Sequence, residues 1–99
     1  MVKTEAHAKI HAQATVVVVA AGLWFGVSRI EWVALVLTIA AVWSLEAVNT
    51  AIEAVCDRVS PEEHALIGRA KDVAAGAVLV AAIAAVIVAG LIFGPYVVD

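Results

Sequence analysis

The chain has 99 residues, 65% of them hydrophobic, with a mean hydropathy of +1.05 and a formal net charge of −3. Soluble domains keep an apolar share of about 45–50%, and a chain this small has too little interior to hide the excess. Composition therefore argues against a soluble fold and for one integral membrane domain over 1–99, all-α. The charges are clustered rather than spread, and nothing in them points to nucleic acid. Cys56 stands alone, so no intramolecular disulfide forms, and it reads as a small packing residue.

Met1 to Lys9 is short and polar. Ile10 to Ser28 carries no formal charge with His11 neutral, and is long enough to cross a bilayer as a first helix, about 10–28. A cleaved signal peptide is the rival reading, disfavoured because no clear cleavage site follows and further apolar spans do. Gly22 and Gly26 form a small-xxx-small pair suited to close helix contact, although glycine is also simply common in membrane helices. Trp24 and Trp32 fall where interfacial aromatics anchor a span.

Ser28 to Glu31 reads as a tight polar turn. The second span follows over about 32–57. Ser60-Pro61-Glu62-Glu63 is a helix start, with Ser60 as N-cap, Pro61 at the first position and Glu63 closing a capping box. The third helix carries its charges first and then an uncharged stretch, giving a span of about 73–95. Ala81, Ala85 and Ala89 offer a smooth packing face, and Gly94-Pro95 is expected to end or kink the helix. Three spans put the N-terminus and the 58–71 hairpin on one side. That side holds Lys3, Lys9, Arg58, Arg69 and Lys71, against Arg29 on the other, so the positive-inside rule places it in the cytosol.

One polar stripe stands out on the second span. Glu46, Asn49, Glu53 and Asp57 fall within roughly 80° of one helix face. Glu46 lies roughly 21 Å along the span, and ionisable groups at membrane depth point to a functional site. Glu5, Glu53, Lys71 and Asp72 gather at the cytosolic boundary. Carboxylates are hard ligands suited to Mg²⁺, which binds through one or two of them plus substrate phosphates. A lysine beside them neutralises phosphate oxygens. Glu46, deeper, is placed to meet a membrane-buried hydroxyl as general base, with Asn49 one turn away to orient it. This is the inventory for phosphoryl transfer, without a Gly-x-x-x-x-Gly-Lys loop for a P-loop nucleotide site.

Each group also has a plain reading. Glu53 and Asp57 could be solvated interfacial charges. Arg69, Lys71 and Asp72 could be a positive-inside flank with a local ion pair, and Glu62 and His64 surface residues of a capped turn. Glu46 and Asn49 could hydrogen-bond between helices and do no more.

Glu46-Ala-Val-Asn49-Thr-Ala-Ile-Glu53-Ala-Val-Cys-Asp57, then Pro61-Glu62-Glu63-His64, then Gly68-Arg69-Ala70-Lys71-Asp72, resembles the prokaryotic diacylglycerol kinases and the related undecaprenol kinases. The likeness runs from about Glu5 to Pro95. It implies a homotrimer of three-span subunits in the bacterial cytoplasmic (inner) membrane, with active sites shared between neighbours. It implies transfer of the ATP γ-phosphate to a lipid hydroxyl, with Mg²⁺. Carried over by position, Glu46 is the base with Asn49 beside it, and Glu5 and Glu53 are the Mg²⁺–ATP ligands. Glu62, Glu63 and His64 become nucleotide contacts, and Lys71 and Asp72 phosphate and nucleotide contacts. His7, Lys9, His11 and Trp24 fall where the family meets lipid. Lys9-Ile10-His11 is similar to the undecaprenol-kinase branch.

The sequence departs from that pattern in two places. It does not contain the amphipathic helix with which family members usually begin, and the stretch after Glu5 lacks the usual bulky aromatic. The first departure favours a rival, a catalytically silent trimeric membrane protein that keeps the scaffold. The joint presence of Glu5, Glu46, Asn49, Glu53, Lys71 and Asp72 favours the kinase.

Overall fold

The computed structural model describes residues 2–59 and 65–98, with side chains from Lys9 onward. Three helices follow one another: α1 over Val2–Phe25, α2 over Arg29–Val59 and α3 over Ala65–Val97. The expected helix start at Ser60–Glu63, and with it Glu62, Glu63 and His64, lies outside the described residues. So do the side chains of Glu5 and His7.

The chain folds back on itself twice. Phe25 and Val18 of α1 join Trp32 and Leu35 of α2 and Val88, Ile92 and Phe93 of α3 in one core cluster, so both connections reverse direction. At the other end, Leu45 to Ile52 faces Leu66 to Ala77 across a groove. The result is a rod 54 Å long and about 20 Å across, 54 × 21 × 20 Å in all. At 1.5 Å per residue α2 and α3 are each about 45–50 Å long, more than the roughly 30 Å of bilayer hydrocarbon, so their ends reach beyond it. Both are long and apolar enough to cross a membrane, and the apolar part of α1, Lys9–Phe25, is shorter.

Burial is sparse, as expected of a chain solvated by lipid. Among the described residues Val27, Leu35, Cys56, Ala74 and Ile92 are the buried hydrophobic side chains, while large apolar side chains such as Val86, Leu91 and Trp24 lie open. Hydroxyls inside the apolar helices turn back on their own backbone: Thr15 donates to the His11 carbonyl and Thr38 to that of Ala34, each at 2.7 Å. A polar group so satisfied is tolerable away from water.

The α1–α2 connection differs from expectation in its parts. α1 stops at Phe25, because Gly26 takes a left-handed φ of 64°. The amides of Gly26 and Val27 both donate to the Gly22 carbonyl, at 3.0 and 3.2 Å, closing the helix in the manner of a glycine C-cap. Gly26 is thus a cap and not half of a packing pair. Gly22 does mark a close approach: a Cβ there would lie 2.6 Å from the Trp32 ring. Ser28-Arg29-Ile30-Glu31 is more than a polar turn. The Ser28 amide donates to Glu31 Oε1 at 2.8 Å and the Glu31 amide to Ser28 Oγ at 3.2 Å, a reciprocal capping box that starts α2.

Tyr96 at the end of α3 donates its hydroxyl to the same Glu31 carboxylate. Its ring lies 5.7 Å from that of Phe25, which in turn lies 6.0 Å from Phe93. These contacts tie all three helices at one end. Pro95 does not end α3, which runs on to Val97. Proline forfeits its own N–H bond, but so close to the terminus little helix remains to be disturbed, and Val98 still donates to the Gly94 carbonyl at 3.0 Å.

Candidate functional site

The polar stripe of α2 forms three successive contacts at the end of the rod away from the aromatic cluster. Glu46 comes first. Its Oε2 lies 3.0 Å from His11 Nε2 of α1, with the two side chains 12% and 18% exposed. One turn on, Asn49 is buried and donates its Nδ2 to Glu53 Oε1 at 3.0 Å. Beyond that, Lys71 Nζ of α3 donates to Asp57 Oδ1 at 2.6 Å, near the exposed boundary. The hydrogen bond to Asp57 first, and the negative charges of Asp57 and Glu53 behind it, hold the Lys71 ammonium above the ordinary lysine range. Lys71 therefore stays charged at neutral pH.

Asn49 carries a second feature. Its Oδ1 is buried and finds no hydrogen-bond partner, and an orphaned buried acceptor costs about 1–3 kcal/mol. Asn49 also lines a cavity of about 550 Å³ between α2 and α3, together with Arg69. A second cavity of about 310 Å³ opens among all three helices. His11, Thr15, Val42 and Trp43 line it opposite Ala82, Ala85 and Ala89. The alanine face of α3 thus leaves space instead of closing tightly on α2, because a methyl group fills little of the gap that a larger side chain would occupy.

The other candidates separate from this group. Asp72 and Lys9 are exposed. Trp24 is 84% exposed and lies 13 residues beyond His11 on α1, about 20 Å further along the helix axis. Of the two carboxylates expected to hold Mg²⁺, Glu53 is half-buried with one oxygen engaged by Asn49. The side chain of Glu5 lies outside the described residues. Among the described residues no three His, Cys, Asp or Glu side chains converge in one cluster. Carboxylate oxygen is the donor type that suits Mg²⁺, which needs only one or two such groups besides phosphate and water. Glu53 fits that requirement.

The pairing of His11 with Glu46 was not foreseen from the residues. The available signal was chemical: His11 in the first apolar stretch and Glu46, the deepest carboxylate of the second, where a lone ionisable group is costly and a pair is less so.

A family model described as prokaryotic diacylglycerol kinase matches residues 1–93. The chain is 42% identical over 93 residues to the undecaprenol kinase of Bacillus subtilis, covering 94% of this chain and 76% of that protein. It is 45% identical over 74 residues to the diacylglycerol kinase of Escherichia coli K12, covering 75% of this chain and 61% of that one. It is 44% identical over 93 residues to the diacylglycerol kinase of Synechocystis, covering 93% of this chain and 53% of that one. The chain thus spans about half to three quarters of the length of these relatives.

Proposed function

The chain belongs to the prokaryotic diacylglycerol kinase family, and on that footing we propose that it is a lipid kinase, transferring the ATP γ-phosphate to the hydroxyl of a membrane lipid alcohol. The acceptor is diacylglycerol or undecaprenol, the substrates in the names of its relatives; Lys9-Ile10-His11 inclines the choice toward undecaprenol.

The observation that carries this reading is the setting of Glu46. An acidic side chain sits 12% exposed on an apolar helix. Asn49 and Glu53 follow on the same face, and Asp57 with Lys71 beyond. A base at that depth meets a hydroxyl that cannot leave the membrane, while the phosphate donor approaches from the water side.

In the reaction, Glu46 accepts the proton of the lipid hydroxyl. The oxygen forms its bond to the γ-phosphorus as the bond to the β-phosphate oxygen breaks, and that electron pair leaves with ADP. Asn49, which the resemblance puts beside the base, holds the Glu53 carboxylate one turn further on. Glu53, with Glu5, would hold the Mg²⁺ that screens the phosphate charges. Lys71 and Asp72 take the phosphates and nucleotide, with Glu62, Glu63 and His64 completing the nucleotide contacts. His7, Lys9 and Trp24 lie along the lipid-facing first helix.

We place α1 as a third span. Its apolar part is about 25 Å long, close to the hydrocarbon thickness. The N-terminus and 58–71 hairpin then face the cytosol, where their basic residues belong. The subunits assemble as a homotrimer in the bacterial inner membrane. The resemblance of the 46–72 stretch to the family supports this.

The test is an assay with γ-labelled ATP in mixed micelles, offering diacylglycerol and undecaprenol side by side. Label in either lipid, dependent on Mg²⁺, is the expected result; label in neither refutes the reading.

A further inference from the structure

Two side chains of α1 meet two of α2 at the level of Glu46. His11 and Thr15 are one turn apart on α1, and Trp43 and Glu46 one turn apart on α2. The Trp43 indole donates to Thr15 Oγ1 at 3.0 Å. Thr15 Oγ1 donates to the His11 carbonyl at 2.7 Å. The Trp43 and His11 rings stand 6.0 Å apart at 58°. These contacts fix where α1 rests on α2, and with it the height of the His11 ring against the Glu46 carboxylate. With Glu46 ionised, as the kinase reading requires of a base, the carboxylate can only accept, and His11 Nε2 is the donor in the 3.0 Å contact with Oε2. His11 also lines the cavity between the three helices, so one ring serves both the cavity wall and the carboxylate.

We infer that His11 is a positioning residue for the reaction: it holds Glu46 Oε2 so that Oε1 faces the acceptor hydroxyl. This rests on the kinase reading above. His11 keeps its own proton throughout, and the proton leaving the lipid goes to Oε1. The physical need is plain. A glutamate side chain has three rotatable bonds, and a general base works only within hydrogen-bond reach of its proton. One fixed oxygen removes most of that freedom, and a hydrogen bond shielded from water is stronger than one in it.

The test uses the full chain in mixed micelles with ATP and each lipid. His11→Ala is expected to lower kcat about tenfold or more while leaving the KM for ATP within about twofold, the pattern of an interaction felt in the transition state. His11→Gln, whose amide donates the same bond, is expected to recover most of the rate. In a Glu46→Gln background, His11→Ala is expected to cost little more, because both residues act through one carboxylate. An unchanged kcat in His11→Ala overturns the inference, and so does an undiminished further loss in the Glu46→Gln background. If His11→Ala does not fold, the ring ¹⁵N signals of His11 decide: they are expected to shift between the native chain and Glu46→Gln, and identical signals overturn the contact. A native chain that labels neither lipid overturns the kinase reading instead, and the ring signals then still report whether the contact exists.

Discussion

A general base contributes about 10²–10⁴-fold to the rate of a reaction it assists. Glu46→Gln keeps the volume and polarity of the side chain and removes only its capacity to take a proton. Turnover should therefore fall by about 10²-fold or more while ATP affinity stays nearly constant; steady-state kinetics separates the two, and an equal loss of both would contradict the assignment. Glu53→Ala should act in the opposite sense, weakening Mg-ATP binding in a nucleotide titration, because it removes the half-buried carboxylate beside Asn49. At this scale the sequence was informative where one helix contains the whole relation. Glu46, Asn49, Glu53 and Asp57 share a face because helical periodicity puts them there. It was silent where two helices must meet. The pairs His11–Glu46 and Asp57–Lys71 depend on how each helix is rotated about its axis and how far it slides along its neighbour. Neither is encoded in spacing.

The helix ends carry their own predictions. Gly26 has φ 64° with nothing near the place of its missing Cβ, so Gly26→Ala meets backbone strain alone and should cost about 1–2 kcal/mol. Gly22→Ala meets the Trp32 ring at 2.6 Å and should shift that ring and lower the unfolding temperature in detergent; an unchanged Trp32 environment by fluorescence would contradict the contact. Glu31 lies outside the second span, in the box that starts α2. The hydrogen bond from Tyr96 first, and then that from the Ser28 amide, hold its carboxyl below the ordinary range. A carboxyl so lowered stabilises the fold above its unfolded-state value and loses that contribution as pH falls through the folded value. Thermal unfolding between pH 6 and pH 3 should show a decline that Glu31→Gln reduces; the same decline in both proteins would remove Glu31 as its source. The three helices were legible from apolar runs and turn residues, but the duties of single turn residues were less so. Gly26 satisfies both a packing pair and a cap on paper, and only the backbone angle separates them. Ser28-x-x-Glu31 carries the capping-box signature, yet in a four-residue connection it reads equally as a turn.

At the scale of the whole molecule, the distance between Glu46 and Lys71 sets the problem. Within one chain Lys71 is bound to Asp57, which lies 11 residues, or about 16 Å, along α2 from Glu46. That is more than a side chain spans, so the proposed base and the proposed phosphate-neutralising cation meet different ends of the triphosphate. Rotation about the membrane normal keeps every lysine at its own depth, so in the proposed homotrimer with shared sites the triphosphate runs between a lysine of one subunit and the deeper carboxylate of the next. The proposal has a sharp consequence. Glu46→Gln and Lys71→Ala should each be nearly inactive as pure assemblies. Mixed at equal amounts in denaturant and refolded together, random assembly in a cyclic oligomer should leave about one quarter of the sites with both native groups. Activity should then return to about that fraction of the native level. If both residues act within one subunit, every site in the mixture still lacks one of them, and activity stays at the level of the separate variants.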